Sequence, residues 1–213
     1  MTLAIDLQTQ RESFLSTIPQ STQTLMQEAT AALGKSRILE EILTVGDTIP
    51  NFSLPNATGE IVNMLELLAQ GPVVIAFYRG GWCPYCNLEL RALQQALASI
   101  QGTGATLVAI SPETPDNSLT TQEKNELEFQ VLSDRDNQVA REFGLVFRLP
   151  ASLLSIYEDF GIDLIAHNGN NHFELPIPAT YVVRQDGTVK YAFANVDYTK
   201  RAEPSEIVHA LQA

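Results

Sequence analysis

Only two cysteines occur in the chain, and they stand close together in Gly80-Gly81-Trp82-Cys83-Pro84-Tyr85-Cys86. A C-x-x-C pair closes a small ring, so it can pass between dithiol and disulfide without unfolding anything. Two thiols are too few for a disulfide-built scaffold and too few for a four-cysteine zinc site. The histidines, His167, His172 and His209, lie far along the chain. His167 and His172 share a Gly/Asn-rich stretch that reads as a polar loop, with no carboxylate spacing to support a metal. What remains is thiol redox chemistry, in which a thiolate attacks and a second thiol resolves the product. That chemistry needs no cofactor and no metal. The alternative is that both cysteines are small packed hydrophobes.

The elements around the pair favour chemistry. Pro72 to Tyr78 (PVVIAFY) is a continuous apolar, β-branched and aromatic run, as in a buried central strand. The glycine pair follows, then the cysteines, then a helix with Leu90, Leu93, Leu97 and Ile100 at helical spacing. If Cys83 enters that helix, Pro84 takes the first helical position, where its missing N–H does no harm. Cys86 then joins the stripe of Leu90, Leu93 and Leu97 and faces inward, leaving Cys83 accessible at the tip. Both thiols sit at the positive end of the helix dipole, which favours thiolate. Arg79 is a further candidate for lowering a thiol pKa.

Further elements follow in order. Val45 to Pro55 reads as an edge strand, Met64 to Ala69 as a short helix and Ala105 to Ile110 as another buried strand. Thr121 to Glu126 predicts a helix, Gln130 to Leu132 a strand, Asn137 to Phe143 a helix, and Leu149 to Phe160 an inserted amphipathic helix. Thr180 to Val183 and Val189 to Phe193 flank the turn Gln185-Asp186-Gly187 as a hairpin, and Pro204 opens a last helix through Leu211. This order predicts an α/β fold, its sheet parallel early, antiparallel late, with helices on both faces. Residues 1–44 form a helical N-terminal extension, with Leu25, Met26, Ala29 and Leu33 on one face. It either packs on the domain formed by residues 45–213 or serves as a dimerisation arm, giving a possible homodimer. Glu89, Arg91 and Arg184 are taken as surface residues.

Composition narrows the partners. The 213 residues carry 13 Lys+Arg against 25 Asp+Glu, a net charge of −12. That argues against nucleic acid and against an anionic membrane surface. No apolar run approaches the ~18 residues of a transmembrane helix. The opening MTLAIDLQTQRESF does not read as a signal peptide, so a cytoplasmic location is expected.

Residues from about 45 onward resemble the thioredoxin-fold superfamily, and within it the peroxiredoxin-like AhpC/TSA family. Val45-Gly46-Asp47 with Pro50, Phe52 and Leu54 is similar to the family's opening VGD-x-x-P-x-F-x-L. Phe77 to Cys86 reads FYRGGWCPYC, a variant of the family's active-site loop, and Pro178 to Val183 resembles the strand after the active-site proline. The resemblance implies a thioredoxin-like three-layer sandwich with a central mixed sheet. It also implies a peroxide or disulfide substrate and a thioredoxin-type electron donor. Two sets of roles fit the motif. In the peroxidase pattern, P-x-x-x-T-x-x-C, Cys86 attacks, while Cys83 occupies the Thr position, Arg79 the Pro position and Pro178 that of the activating Arg. In the thioredoxin pattern, Cys83 attacks, Cys86 resolves, Trp82 precedes the nucleophile, and Pro178 is a cis-proline in the bond Ile177–Pro178. The catalytic candidates are Cys83 and Cys86, supported by Arg79, Trp82, Pro84 and Pro178. A redox-sensing interaction module is the non-enzymatic alternative.

Overall fold

The structure, a computed structural model, describes residues 2–213; Met1, the first residue of the expected extension, lies outside them. Two helices open the chain, α1 (Leu3–Thr17) and α2 (Gln20–Lys35), followed by a 3₁₀ turn at Ile38–Glu40. Then come β1 (Ser53–Pro55), β2 (Ile61–Asn63), α3 (Met64–Gln70), β3 (Val73–Phe77), α4 (Pro84–Gln101), β4 (Thr106–Ser111) and α5 (Pro115–Lys124). The second half holds β5 (Gln130–Ser133), α6 (Gln138–Glu142), β6 (Val146–Arg148), α7 (Ala151–Asp159) and α8 (Leu164–Asn168). It closes with β7 (Glu174–Pro176), β8 (Ala179–Val183), β9 (Val189–Ala194) and α9 (Pro204–Gln212).

Five strands form the central sheet in the order β5-β4-β3-β8-β9. The pairs β3–β4 and β4–β5 are parallel, while β3–β8 and β8–β9 are antiparallel. This is the predicted mixed sheet. Every residue of β3 is buried, as its unbroken β-branched run requires of a central strand covered on both faces. Val74 and Ala76 point to one face with the α4 stripe and Ile207 of α9; Val73, Ile75 and Phe77 point to the other with Met64 and Leu68 of α3 and Val139 of α6. Cys86, Leu90, Leu93 and Leu97 are 0, 0, 1 and 4% exposed, so the inward stripe holds. Each of those leucines contributes roughly 1.5–3 kcal/mol by leaving water.

The register fixes where chemistry can occur. Phe77 pairs with Ile110 on one side and with Ala179 on the other. The turn after β3, the turn after β4 and the approach to β8 therefore meet at one edge of the sheet. Arg79 to Cys86, Glu113 and Pro178 converge there although they are far apart in sequence.

Several elements depart from the expectation. The helix expected at Thr121–Glu126 starts earlier, at Pro115, because proline is well placed at a first helical position. The edge strand of Val45–Pro55 shrinks to Ser53–Pro55 plus an isolated bridge from Thr48 to Thr188. The small hairpin of β6 and β7 and the five-residue α8 were not anticipated. The extension packs against the rest of the chain: Leu3 and Leu7 lie in the same cluster as the α4 stripe, and Met26 and Ala29 rest on the cluster of α7.

Candidate active site

Gly80 and Gly81 make the turn between β3 and α4 possible. Gly80 has φ of 149°, a conformation that side chains rarely adopt, and a Cβ there would run into the Trp82 indole. A Cβ on Gly81 would run into the Thr121 side chain. The turn is held by Glu113, whose Oε2 accepts from Gly81 N–H at 2.8 Å and whose Oε1 accepts from His167 Nδ1 at 3.0 Å. Asn87 Nδ2 donates to the Gly81 carbonyl at 2.8 Å, and Asn125 in turn donates to Asn87 Oδ1 at 2.9 Å.

Cys83 is the N-cap residue of α4 and Cys86 lies in its first turn. The two are free thiols, and both are buried, Cys83 at 2% exposure and Cys86 at 0%. This corrects the expectation of an accessible Cys83: it lines a cavity that it shares with the side chains of Arg79, Trp82, Tyr157 and Tyr198. Burial opposes ionisation of Cys83. The hydrogen bond from Cys86 and the charges of Arg79 and Arg201 outweigh it and bring the thiol down to about 6. Cys86 is pushed up by burial, by donating a hydrogen bond from its S–H to Cys83 and by that neighbour's charge. One negative charge is thus shared unequally, with Cys83 as the thiolate and Cys86 as the thiol.

Two arginines surround the pair. Arg79 is buried, and its guanidinium carbon lies 4.5 Å from the Tyr198 ring centroid, 5.0 Å from Trp82 and 5.7 Å from Tyr157, within range for cation–π attraction. Its Nη2 donates to the Tyr157 hydroxyl, while its Nε has no partner among the described residues. Arg201 donates from Nη2 to Cys86 Sγ at 3.3 Å and from Nε to Glu89 Oε2 at 2.5 Å. Glu89 is 2% exposed, so it is not a surface residue. Burial raises its carboxyl to about 7, against the lowering effect of Arg201.

Pro178 stands just before β8 and lines, with Ile177 and Arg79, a cavity that neither cysteine lines. In conformation it differs from the thioredoxin pattern. No cis peptide bond occurs among the described residues, so the Ile177–Pro178 bond is trans. Trans is the ordinary state of such bonds, and here the Ile177 N–H is held by the Leu145 carbonyl at 2.8 Å. Trp82 and Pro84 line the space over Cys83, as their place in the motif suggests.

Residues 45–192, which include this loop and its paired cysteines, match the AhpC/TSA family. The chain belongs to that family. It is 34% identical over 103 residues to peroxiredoxin Bcp of Escherichia coli, covering 48% of this chain and 65% of the relative. It is 29% identical over 162 residues to the chloroplastic peroxiredoxin Q of Oryza sativa subsp. japonica, covering 76% of this chain and 64% of the relative. The chain thus spans just under two-thirds of the length of the relatives it matches. The crystal structure of peroxidoxin BcpB from Mycobacterium tuberculosis is similar in fold, with a TM-score of 0.63, 22% identity, and coverage of 80% of this chain and 97% of that one.

The six candidates read from the sequence, Cys83, Cys86, Arg79, Trp82, Pro84 and Pro178, are brought by the fold to one sheet edge. Sequence reading missed Arg201, Glu113 and the role of Glu89. Glu89 carried a signal, since it follows Cys86 by one helical turn. Arg201 carried none. It lies 115 residues from Cys86, in the irregular segment between β9 and α9.

Proposed function

We propose that the protein is a thiol peroxidase that reduces small hydroperoxides through a Cys83–Cys86 disulfide. One observation carries the reading: Cys83, a buried free cysteine, lines a small cavity with Arg79, which has no carboxylate partner among the described residues, on the scaffold of a peroxiredoxin family. The Cys83 thiolate attacks the nearer peroxide oxygen. An S–O bond forms, the O–O bond breaks, sulfur is oxidised by two electrons, and the leaving alkoxide or hydroxide takes a proton to become alcohol or water. Arg79, with its free Nε, stabilises the developing oxyanion, work that preorganised cations perform well in a dry site. The Cys86 thiol then attacks the sulfenic acid, expelling water and closing the disulfide. A thioredoxin-type dithiol returns the pair to its reduced state. Because Cys83 is covered, that larger partner requires the cover to move. A dithiol that must stay reduced between turnovers fits the cytoplasm.

The order of attack follows from access and ionisation. The family's attacking position falls on Cys86, which Arg201 touches, but Cys86 reaches no open space and its ionisation is opposed by burial. The serine variants separate the two. Under the present reading Cys86→Ser forms a sulfenic acid on Cys83 that dimedone traps, and Cys83→Ser forms none.

A second reading, a thioredoxin-like disulfide reductase, is favoured by the low pKa on the first cysteine of Trp82-Cys83-Pro84-Tyr85-Cys86. Stopped-flow mixing of reduced protein with hydrogen peroxide decides, because Trp82 is the only tryptophan and adjoins Cys83. Fast, stoichiometric loss of both thiols is the expected result. A rate no better than that of a free thiolate, with hydrogen peroxide and with cumene hydroperoxide alike, overturns the peroxidase reading in favour of the reductase.

A further inference from the structure

Phe14 and Met26 belong to α1 and α2, outside the residues that match the family. Both nonetheless line the cavity of about 190 Å³ into which Cys83 faces. Phe14 is held edge-on against Phe160, with ring centroids 5.5 Å apart. Met26 packs against the cluster of Leu153, Ile156 and Tyr157 and also lines an adjoining apolar cavity of about 170 Å³. Trp82, Tyr157 and Tyr198 line the same cavity as Phe14 and Cys83. In a chain of net charge −12, the larger cavity has no carboxylate on its walls, and its charged groups are Arg79 and the Cys83 thiolate. A site for hydrogen peroxide alone has no use for the apolar side chains of Phe14, Met26, Phe160 and Ile162 in its lining. An apolar body beside a peroxide group does.

We propose that the N-terminal helices complete the substrate site, with Phe14 and Met26 as specificity-determining residues that select hydroperoxides carrying a compact apolar body, of about cumyl size, over hydrogen peroxide. The proposal rests on the peroxidase reading and deepens it. The peroxide oxygens lie between Cys83 and Arg79, and the hydrocarbon occupies the space between Phe14, Met26 and Tyr157. Removing one wall of an apolar pocket weakens discrimination by about one order of magnitude or more, as missing methylenes do in other specificity pockets.

The test compares kcat/KM for cumene hydroperoxide and hydrogen peroxide in the full chain. In F14A/M26A the ratio of the two, cumene over hydrogen peroxide, falls about tenfold. An unchanged or increased ratio overturns the proposal. Phe14→Leu, which keeps an apolar contact with Phe160 and shortens the wall, gives a smaller fall and guards against misfolding of the double variant. Titration of the reduced wild-type protein with 2-phenylpropan-2-ol, the product alcohol, supplies a readout that needs no turnover. A saturable change in Trp82 fluorescence supports the site even where neither peroxide is reduced, the case in which the peroxidase reading fails alone. No change at any alcohol concentration overturns the proposal by itself.

Discussion

Cys83 and Cys86 occupy equivalent-looking positions at one helix end, yet their surroundings drive their ionisation apart. Burial opposes a charge on either sulfur. What separates them is that Cys83 receives the hydrogen bond and Cys86 gives it, with Arg79 and Arg201 favouring the thiolate that results. The α4 N-terminus adds the field of its unpaired N–H groups. Alkylation of the reduced protein by iodoacetamide should therefore titrate with a midpoint near the Cys83 value of about 6, and the label should fall on Cys83. Arg79→Met removes a cation from beside the thiolate and so should raise that midpoint, by about one pH unit for a nearby opposite charge. Peptide mapping of the alkylated protein checks the site, and the pH–rate profile checks the shift. A midpoint that stays put in Arg79→Met would mean the guanidinium is spent on its three aromatic rings and leaves the sulfur alone.

The turn that delivers the thiols is an element with little tolerance. Glu113 and Asn87 clamp the two sides of Gly81, and Thr121 of α5 fills the space where a Cβ would go. Thr121 is 3% exposed and sits mid-helix, so it cannot swing aside. Gly81→Ala should cost about 1–3 kcal/mol of stability, the ordinary penalty of overpacking, readable as a lower urea midpoint. Thr121→Ala removes the obstructing atoms, so G81A/T121A should recover part of the loss; simple additivity of the two changes would reject this steric account. How far such features can be read from sequence depends on the range of the interaction. The strand before the turn and the stripe of Cys86, Leu90, Leu93 and Leu97 are local patterns, and they hold. The polar stretch around His167 reads as loop because α8 has only five residues, too few to repeat a helical period. Its capping by Asp163, whose side chain accepts from Ala166 N–H, is the one local clue. The contact of His167 with Glu113 spans 54 residues, and no spacing rule reaches that far.

At the scale of the whole molecule, the buried pair of Arg201 and Glu89 joins α4 to the segment before α9 across 112 residues, with Cys86 as a third member. Taking both charges out of water is expensive, and their attraction repays it only in part. The imbalance is visible in Glu89, whose carboxyl rises from an ordinary 4.5 to about 7 although Arg201 and Thr180 both bond it. Cys86, the other ionisable group facing it, adds to the rise. A carboxyl whose pKa is higher folded than unfolded supports the fold fully below the unfolded value, and that support is lost as pH rises through the folded value. The window here runs from about 4.5 to about 7. At about 1.4 kcal/mol per unit, the loss across it is on the order of 3 kcal/mol. Glu89→Gln removes the titration while keeping a polar group that can accept from Arg201. Other carboxylates also titrate in this window, so the quantity to follow is wild-type stability minus that of Glu89→Gln, from urea unfolding of the reduced proteins at stepped pH. That difference should fall as pH rises from 4.5 to 7 and level off above it. A difference that is flat throughout would mean that Glu89 is ionised across the whole range and that Arg201 fully offsets its burial. Cys86 would then lie beside a permanent ion pair rather than a carboxyl that gains and loses its proton near neutral pH.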